Sequence, residues 1–226
     1  MDCKRLKQIL RVSAAFAMVA TMARPLASLP PVESLSGTLQ AVESRYNRMK
    51  TVRMRFHQIY RQDSTVLREE EGTLYLRKPG QMRWEYEAPE PKLFLTDGKT
   101  LTLYLPEENR VTETKVNESG DYRTPLRFLL GQTRFAEEFQ RIETSQDFPP
   151  LEKGNLLLKA FAKRLEDRLD WVLFEITPAY RIRRLVLQEP GEVQQEFRFE
   201  GEQPGVPLSQ QLFQFEPPEG AQVIRE

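Results

Sequence analysis

The stretch RKPGQMRWEYEAPEP, residues 77 to 91, alternates between bulky apolar and charged side chains through its middle. Met82, Trp84 and Tyr86 would share one face of an extended strand, because successive side chains in a strand point to opposite faces. The charged residues between them would share the other face. The pattern predicts a strand with one buried side, and by itself it favours an ordinary packed core over a ligand-binding cavity.

The same period of two recurs around this stretch and predicts a meander of antiparallel strands. Alternation begins at residues 52 to 56, and a polar turn at residues 62 to 65 leads to a second strand. A hairpin signal at Asp97 and Gly98 precedes another alternating run at residues 101 to 105. After an interruption, further strands are predicted at residues 156–161, 172–176, 182–187, 193–199 and 212–215.

Helical periodicity appears before the meander and in the interruption. Apolar residues at spacings of 4, 3, 4 and 3 predict one helix from about Ser34 to Lys50, with Ser34 and Ser36 as candidate N-caps. A second helix is predicted at residues 125 to 130, because a threonine cap and a first-turn proline precede its apolar residues. The spacing of four between two phenylalanines at residues 135 to 139 suggests another turn or two of helix.

The first 27 residues carry the signals of export. Basic residues precede an apolar run from Val12 to Ala23, which is too short to span a membrane and is typical of a secretory signal peptide. The only cysteine, Cys3, lies in the same segment, so the mature chain would form no disulfide. We expect a signal peptide at residues 1–27, with an N-terminal anchor as the alternative, and a single domain at residues 28–226.

Charge and motifs give no support for nucleic-acid binding or for catalysis. Residues 1–27 contain five cations and one anion out of 33 of each, so the mature chain is mildly acidic, whereas nucleic-acid-binding surfaces are basic. His57 is the only histidine, which leaves a triad or a multi-histidine metal site without a second candidate. The consecutive Glu69, Glu70 and Glu71 fit a solvated turn better than an acid–base pair. We therefore predict that the protein is not an enzyme.

Four segments, in this order after the predicted helix, resemble the periplasmic outer-membrane lipoprotein carrier family of the LolA type. They are GTLYLRKPGQMRWEYEAPEP, LFLTDGKTLTLYLPEENRV, TPLRFLLG and FQFEPPEGAQV. The resemblance covers most of residues 33 to 226. It implies an α+β fold, in which an incomplete, unclosed antiparallel β-barrel of about eleven strands is covered by helices that form a lid over a hydrophobic cavity.

The resemblance also implies a function. It is that of a soluble periplasmic chaperone that shelters the acyl chains of lipoproteins and carries them from the inner to the outer membrane. An inner-membrane ABC-type lipoprotein-releasing complex would load it, and in many Gram-negative bacteria an outer-membrane receptor would unload it. Such a carrier is expected to be a monomer with no cofactor, metal or nucleic acid. A periplasmic sensor or regulator, or a carrier of another lipid such as a glycolipid, would use the same half-barrel.

Site residues follow from placing the alternating strands in that fold. The expected cavity lining comprises Met54, Phe56, Leu74, Leu76, Met82, Trp84, Tyr86, Phe94, Leu101 and Leu103. The expected lid helix contains Pro125, Leu126, Phe128, Leu129 and Leu130. Members of the family commonly have arginine before the proline that opens the tryptophan strand, where it holds the lid closed. Lys78 takes that place here, one residue after Arg77, and is the expected latch, although it lacks the planar fork of arginine.

Overall fold

A computed structural model describes residues 34–116, 134–163 and 168–225. In these residues twelve strands form one sheet: β1 Thr51–Gln62, β2 Thr65–Arg77, β3 Gln81–Ala88, β4 Lys92–Thr96, β5 Thr100–Leu105, β6 Arg110–Lys115, β7 Phe139–Thr144, β8 Leu156–Ala162, β9 Trp171–Ile176, β10 Ile182–Glu189, β11 Val193–Pro204 and β12 Gln222–Arg225. Their order is β12-β6-β5-β4-β3-β2-β1-β11-β10-β9-β8-β7. All neighbouring pairs are antiparallel except β12 and β6. The strands β12 and β7 form separate edges, so the expected unclosed half-barrel is confirmed.

Helix α1, Leu35–Arg48, precedes the sheet and packs on one of its faces. Ser34 is the N-cap, because its hydroxyl accepts a hydrogen bond of 3.1 Å from the backbone N–H of Gly37. Val42 and Tyr46 are buried along the apolar stripe that the sequence predicted. The helix therefore begins at the predicted residue and ends two residues earlier than expected, since the backbone of Met49 is extended.

Strand pairing turns the apolar residues of neighbouring strands to one side of the sheet. Met54 faces Leu74, Leu74 faces Trp84, and Trp84 faces Phe94 across four adjacent strands. Cross-strand partners share a face, so this row belongs to one surface, which we call the inner face. The inner face packs against α1 and continues onto β8 to β11, where it forms the main core of the protein.

The opposite, outer face is covered in two places by coil. Residues 206 to 216 cover β3 to β5, where Phe213 is buried against Leu93 and Leu95. Residues 145 to 155 cover β9 and β10, and we call this segment the strap. Both faces of these two strands are consequently buried, which explains why residues 172 to 187 read as apolar runs and not as a clean alternation.

Two predictions of local structure need correction, and a third is confirmed. The strand expected at residues 212 to 215 is absent from the described structure, because the Ser209 hydroxyl accepts from the N–H of Leu212 and a 3₁₀ turn forms at Gln210–Phe213. Helix α2, Phe135–Glu138, is one turn long, in agreement with the expected turn or two of helix, and Phe139 already starts β7. Glu70 lies within β2 and is buried, so it does not belong to a solvated turn.

A buried ionic network holds the strap on the outer face. Arg184 lies 2.8 Å from Glu175 and 3.8 Å from Glu196, and all three side chains are at most 5% exposed. Glu175 also accepts hydrogen bonds of 2.7 Å from the backbone N–H of Leu151 and from the side chain of Asn155. The strap is thus attached by polar bonds to a charge that has no access to water.

Within this network, Glu196 is ionised more readily than an ordinary glutamate. Burial raises its pKa, but hydrogen bonds from Arg198 and Arg61, at 2.6 and 2.7 Å, outweigh burial and leave the pKa lowered. A native pKa below the unfolded one means that this group stabilises the fold above the usual glutamate pKa of about 4.3. Its contribution is lost as the pH falls through the native pKa.

Glu175→Gln should lower the free energy of unfolding by about 3 kcal/mol, because it leaves Arg184 buried without its nearest counter-charge. Urea unfolding at neutral pH measures the change. The matched control is Glu152→Gln, which removes an exposed carboxylate 3.0 Å from Arg183 and should change stability by less than about 1 kcal/mol. Equal losses in the two variants would contradict a special role for the buried pair.

Candidate functional site

Aromatic rings gather on the inner face around Trp84. The ring centroid of Phe56 lies 4.7 Å from that of Trp84 and 4.9 Å from that of Tyr86, and both pairs meet edge to face. Phe197 on β11 approaches Trp84 at 5.5 Å from the other side. The rings lie on β1, β3 and β11. They come together because β1 lies between β2 and β11 in the sheet, and β3 lies on the other side of β2. The result is a broad, polarisable, apolar surface.

Gly72 makes room for this cluster. It pairs with both Phe56 and Tyr86, at a point where the β2–β3 register shifts. A Cβ atom at residue 72 would lie 2.9 Å from the Phe56 ring and 1.9 Å from the carbonyl oxygen of Glu85, which no side chain tolerates. Only glycine therefore allows the close approach of β2 and β3 beneath the Phe56 ring.

Two polar groups of the cluster differ in whether they have a hydrogen-bond partner. The Tyr86 hydroxyl donates a hydrogen bond of 2.9 Å to Gln58, and burial raises the pKa of this tyrosine. The indole N–H of Trp84 is buried and has no hydrogen-bond partner among the described residues. A buried donor without a partner is uncommon in folded proteins, because leaving one costs about 1–3 kcal/mol.

A charged pair borders the cluster. Lys92 lies 2.6 Å from the carboxylate of Glu70 and 4.1 Å from the centre of the Tyr86 ring. Glu70 pairs with Gln58, two residues along from Phe56, so it belongs to the inner face. The sequence indicates this placement, because Glu70 and Leu74 are four residues apart in β2 and therefore share a face. The run of three glutamates instead favoured a solvated turn.

The C-terminal end of α1 is attached to the sheet by hydrogen bonds. The Tyr46 hydroxyl donates to Glu202 and accepts from the backbone N–H of Ile182, each at 2.9 Å, and Arg45 forms an ion pair with Glu202. Burial, followed by the charge of Glu202, raises the pKa of Tyr46 well above the usual range, so the hydroxyl stays protonated. One buried phenol thereby joins α1 to both β10 and β11.

Lys78 also holds this end of α1. Its ammonium group donates to the backbone carbonyls of Tyr46 and Asn47, at 2.5 and 3.0 Å. These carbonyls lie in the last turn of the helix, where the backbone has unpaired acceptors and the helix dipole favours a cation. Burial lowers the pKa of Lys78. The lysine thus binds the end of a helix that lies on the apolar face.

Comparison with known proteins assigns the family. Residues 47–216 match the family model described as outer membrane lipoprotein carrier protein LolA. The chain belongs to the LolA family. A Nitrosomonas europaea protein named outer-membrane lipoprotein carrier protein is 25% identical over 199 residues, 88% of this chain and 94% of its own length. A protein of the same name from Hahella chejuensis is 28% identical over 202 residues, 89% of this chain and 91% of its own.

One solved structure supports the fold. An uncharacterized conserved protein from Thermus thermophilus superimposes with a TM-score of 0.54 at 15% identity, and the match covers 84% of this chain and 98% of the other. At this identity the likeness concerns the fold alone.

The structure brings the sequence-predicted cavity residues of this LolA-family chain onto one face. Leu103 faces Phe94, and Leu101 faces Thr96, which in turn faces Met82. Tyr86 and Phe94 are partly buried against the main core, Leu101 is buried outside that cluster, and Leu103 is half-buried. The remaining six are buried in the core: Met54, Phe56, Leu74, Leu76, Met82 and Trp84. Their assignment as cavity lining stays a prediction.

Other site predictions have different outcomes. The expected lid helix, Pro125, Leu126, Phe128, Leu129 and Leu130, lies outside the described residues. Among residues 34–116, 134–163 and 168–225, no cluster of three or more His, Cys, Asp or Glu side chains is arranged to hold a metal ion. Within those same ranges, no helix combines the length and apolar character needed to cross a bilayer.

Tyr46→Phe should lower the free energy of unfolding by about 1–3 kcal/mol, because the backbone N–H of Ile182 stays buried and loses its acceptor. Thermal or urea unfolding measures the loss. Tyr60→Phe is the matched control, since Tyr60 is only partly buried, and it should change stability by less than about 0.5 kcal/mol. Similar values for the two variants would show that the hydroxyl does not anchor α1.

Proposed function

We propose that the mature protein is a periplasmic carrier that holds the acyl chains of lipoproteins against the inner face and moves them from the inner to the outer membrane. The observation that carries the proposal is the inner face itself, a contiguous apolar surface that spans most of the sheet and is covered by α1. Membership of the LolA family supports the same function.

The physical need for such a carrier follows from the chemistry of a lipid anchor. Each buried methylene is worth about 0.8 kcal/mol, so an acyl chain of about 15 methylenes resists transfer to water by on the order of 12 kcal/mol. An apolar protein surface removes most of this penalty but gains little relative to the bilayer that the chain left. Transfer is therefore nearly neutral, and its direction depends on the partners at each membrane.

Binding requires that the inner face become accessible. Trp84 is only 1% exposed and Met82 is fully buried, so acyl chains must replace contacts that the protein makes with itself. We propose that Lys78 regulates this exchange by holding the end of α1, as the latch, and that residues 125 to 130 form the lid. The unpartnered indole N–H of Trp84 favours a ligand that brings an acceptor, such as an acyl carbonyl, to this face.

The proposal also includes the cellular context. Residues 1–27 act as the signal peptide, and residues 28–226 form one carrier domain in the periplasm. An inner-membrane ABC-type complex loads the monomeric carrier, an outer-membrane receptor accepts the cargo, and the carrier uses no cofactor and catalyses no reaction.

Trp84 emission should be quenched by a lipopeptide whose acyl chains carry bromine, because quenching by bromine requires near contact. The probe is a synthetic diacylglyceryl-cysteine peptide, and the measurement uses Trp171→Phe so that Trp84 is the remaining tryptophan. Trp84→Phe is the matched control, since Trp171 packs with Phe148 on the outer face and should not be quenched. Bound lipopeptide that leaves Trp84 emission unchanged would exclude the inner face as the acyl site.

Lys78→Ala should accelerate both uptake and release of a fluorescent acyl probe by about tenfold, because about 1.4 kcal/mol of α1 anchoring is removed. Lys78→Arg should stay near the wild-type rates, since a guanidinium can also donate to two carbonyls. Stopped-flow mixing gives both rates, with the exposed Lys153→Ala as control. Unchanged uptake and release rates in Lys78→Ala would rule out the latch.

A further inference from the structure

A cationic groove lies at the C-terminal end of α1, outside the inner-face cluster around Trp84. It has a volume of about 680 Å³ and is open to solvent. Among the described residues, its lining contains three cations and no carboxylate: Arg45, Arg48, Met49, Lys50, Thr51, Pro204 and Gly205. Since the whole chain carries 33 cations and 33 anions, this concentration of positive charge is a local departure from the average surface.

Two of the groove's cations are available to a ligand. Arg45 is already paired with Glu202, whereas Arg48 and Lys50 are exposed and form no ion pair with the described residues. Some exposed cations elsewhere have a partner, as Arg225 has with Glu113 at 2.9 Å. Arg48 and Lys50 therefore give the groove an uncompensated positive potential.

The backbone around the groove is fixed and does not repel an anion. The carbonyl of Lys50 accepts from the N–H of Lys78, and the carbonyl of Thr51 accepts from the N–H of Gly205, each at 2.9 Å. Helix carbonyls at this end would ordinarily disfavour negative charge, but the Lys78 ammonium binds two of them. The walls are thus preformed, and the neighbouring acceptors are neutralised.

We propose that this groove binds the phosphate of an anionic phospholipid head group and seats the carrier on a membrane surface. Arginine is well suited to phosphate. Met49 and Pro204 offer apolar contact to the glycerol portion of a lipid. Peptide binding by strand addition is disfavoured, since the backbone groups of Lys50, Thr51 and Gly205 noted above are already paired.

The test is flotation of the purified protein with vesicles of phosphatidylcholine, with and without phosphatidylglycerol. Wild type should bind only the anionic vesicles, and added salt should release it. The double variant Arg48→Gln and Lys50→Gln should bind about 25-fold more weakly, because each cation near an anionic surface contributes about fivefold, or about 1 kcal/mol. Lys153→Gln, which removes an exposed cation outside the groove lining, should bind like wild type.

Further binding measurements distinguish which kind of anion the groove recognises. Displacement from vesicles by soluble glycerol 3-phosphate would support phosphate recognition. Binding of inorganic phosphate or of a polyglutamate peptide, without binding of anionic vesicles, would overturn the membrane assignment. Equal vesicle binding by the double variant and wild type would show that the groove is not the membrane-binding site.

The inference goes beyond the proposed acyl-binding function and can fail separately from it. The double variant should still bind the brominated lipopeptide with wild-type affinity, because Arg48 and Lys50 do not belong to the inner-face core. Loss of vesicle binding with intact lipopeptide binding supports the groove. Vesicle binding by a protein that binds no lipopeptide would contradict the carrier function and leave the groove established.

Discussion

A sheet that turns Met54, Leu74 and Trp84 to one side must keep that side from water, since fully burying each such side chain is worth about 1.5–3 kcal/mol. Exposing a patch of several hundred Å² would also promote association between molecules. Helix α1 supplies a cover, because its apolar stripe matches the inner face. The polar bonds of Tyr46 and Lys78 at one end then fix where the cover is attached.

The two faces of the sheet use different interactions, and the difference suits a carrier. On the outer face, Glu175 and Arg184 form directional bonds that hold the strap in one place, and their loss would leave buried charge. On the inner face, contacts with α1 are mostly apolar and non-directional, so hydrocarbon of similar shape can substitute for them at little free-energy difference. Under the proposed function, the scaffold would remain folded while the cover is exchanged.

The half-barrel was implied by the family resemblance. Alternation predicted individual strands well where one face of a strand is buried and the other is solvated. That condition holds in the first half of β1, and in β3 the alternation still identified the inner-face residues Met82 and Trp84 correctly as buried neighbours. It fails in β10, whose two faces are both covered, and at Phe213, which is buried by a 3₁₀ turn. These exceptions depend on coil segments that fold back over the outer face, which no local pattern encodes.

The candidate site was predictable in the kind of residues it contains but not in its hydrogen bonds, because the bonds of Tyr46 join residues 136 and 156 positions apart along the chain. Lys78 was expected to bind a lid, and its described partners are carbonyls of α1.

Imperfect packing at the inner face has a physical use. Of the buried side-chain atoms without a hydrogen-bond partner among the described residues, the indole N–H of Trp84 lies at the centre of the apolar cluster, and the others belong to charged side chains: Arg45, Arg77, Glu175 and Arg184. Leu103 and Phe94, at the margin of the same face, are only partly buried. If every donor were satisfied and every side chain fully packed, a ligand could not easily replace the internal contacts of the core. Its own contacts would at best equal the free energy of those it displaced. Under the proposed function, leaving about 1–3 kcal/mol unrealised at Trp84 would lower the barrier to exchange of this face with hydrocarbon.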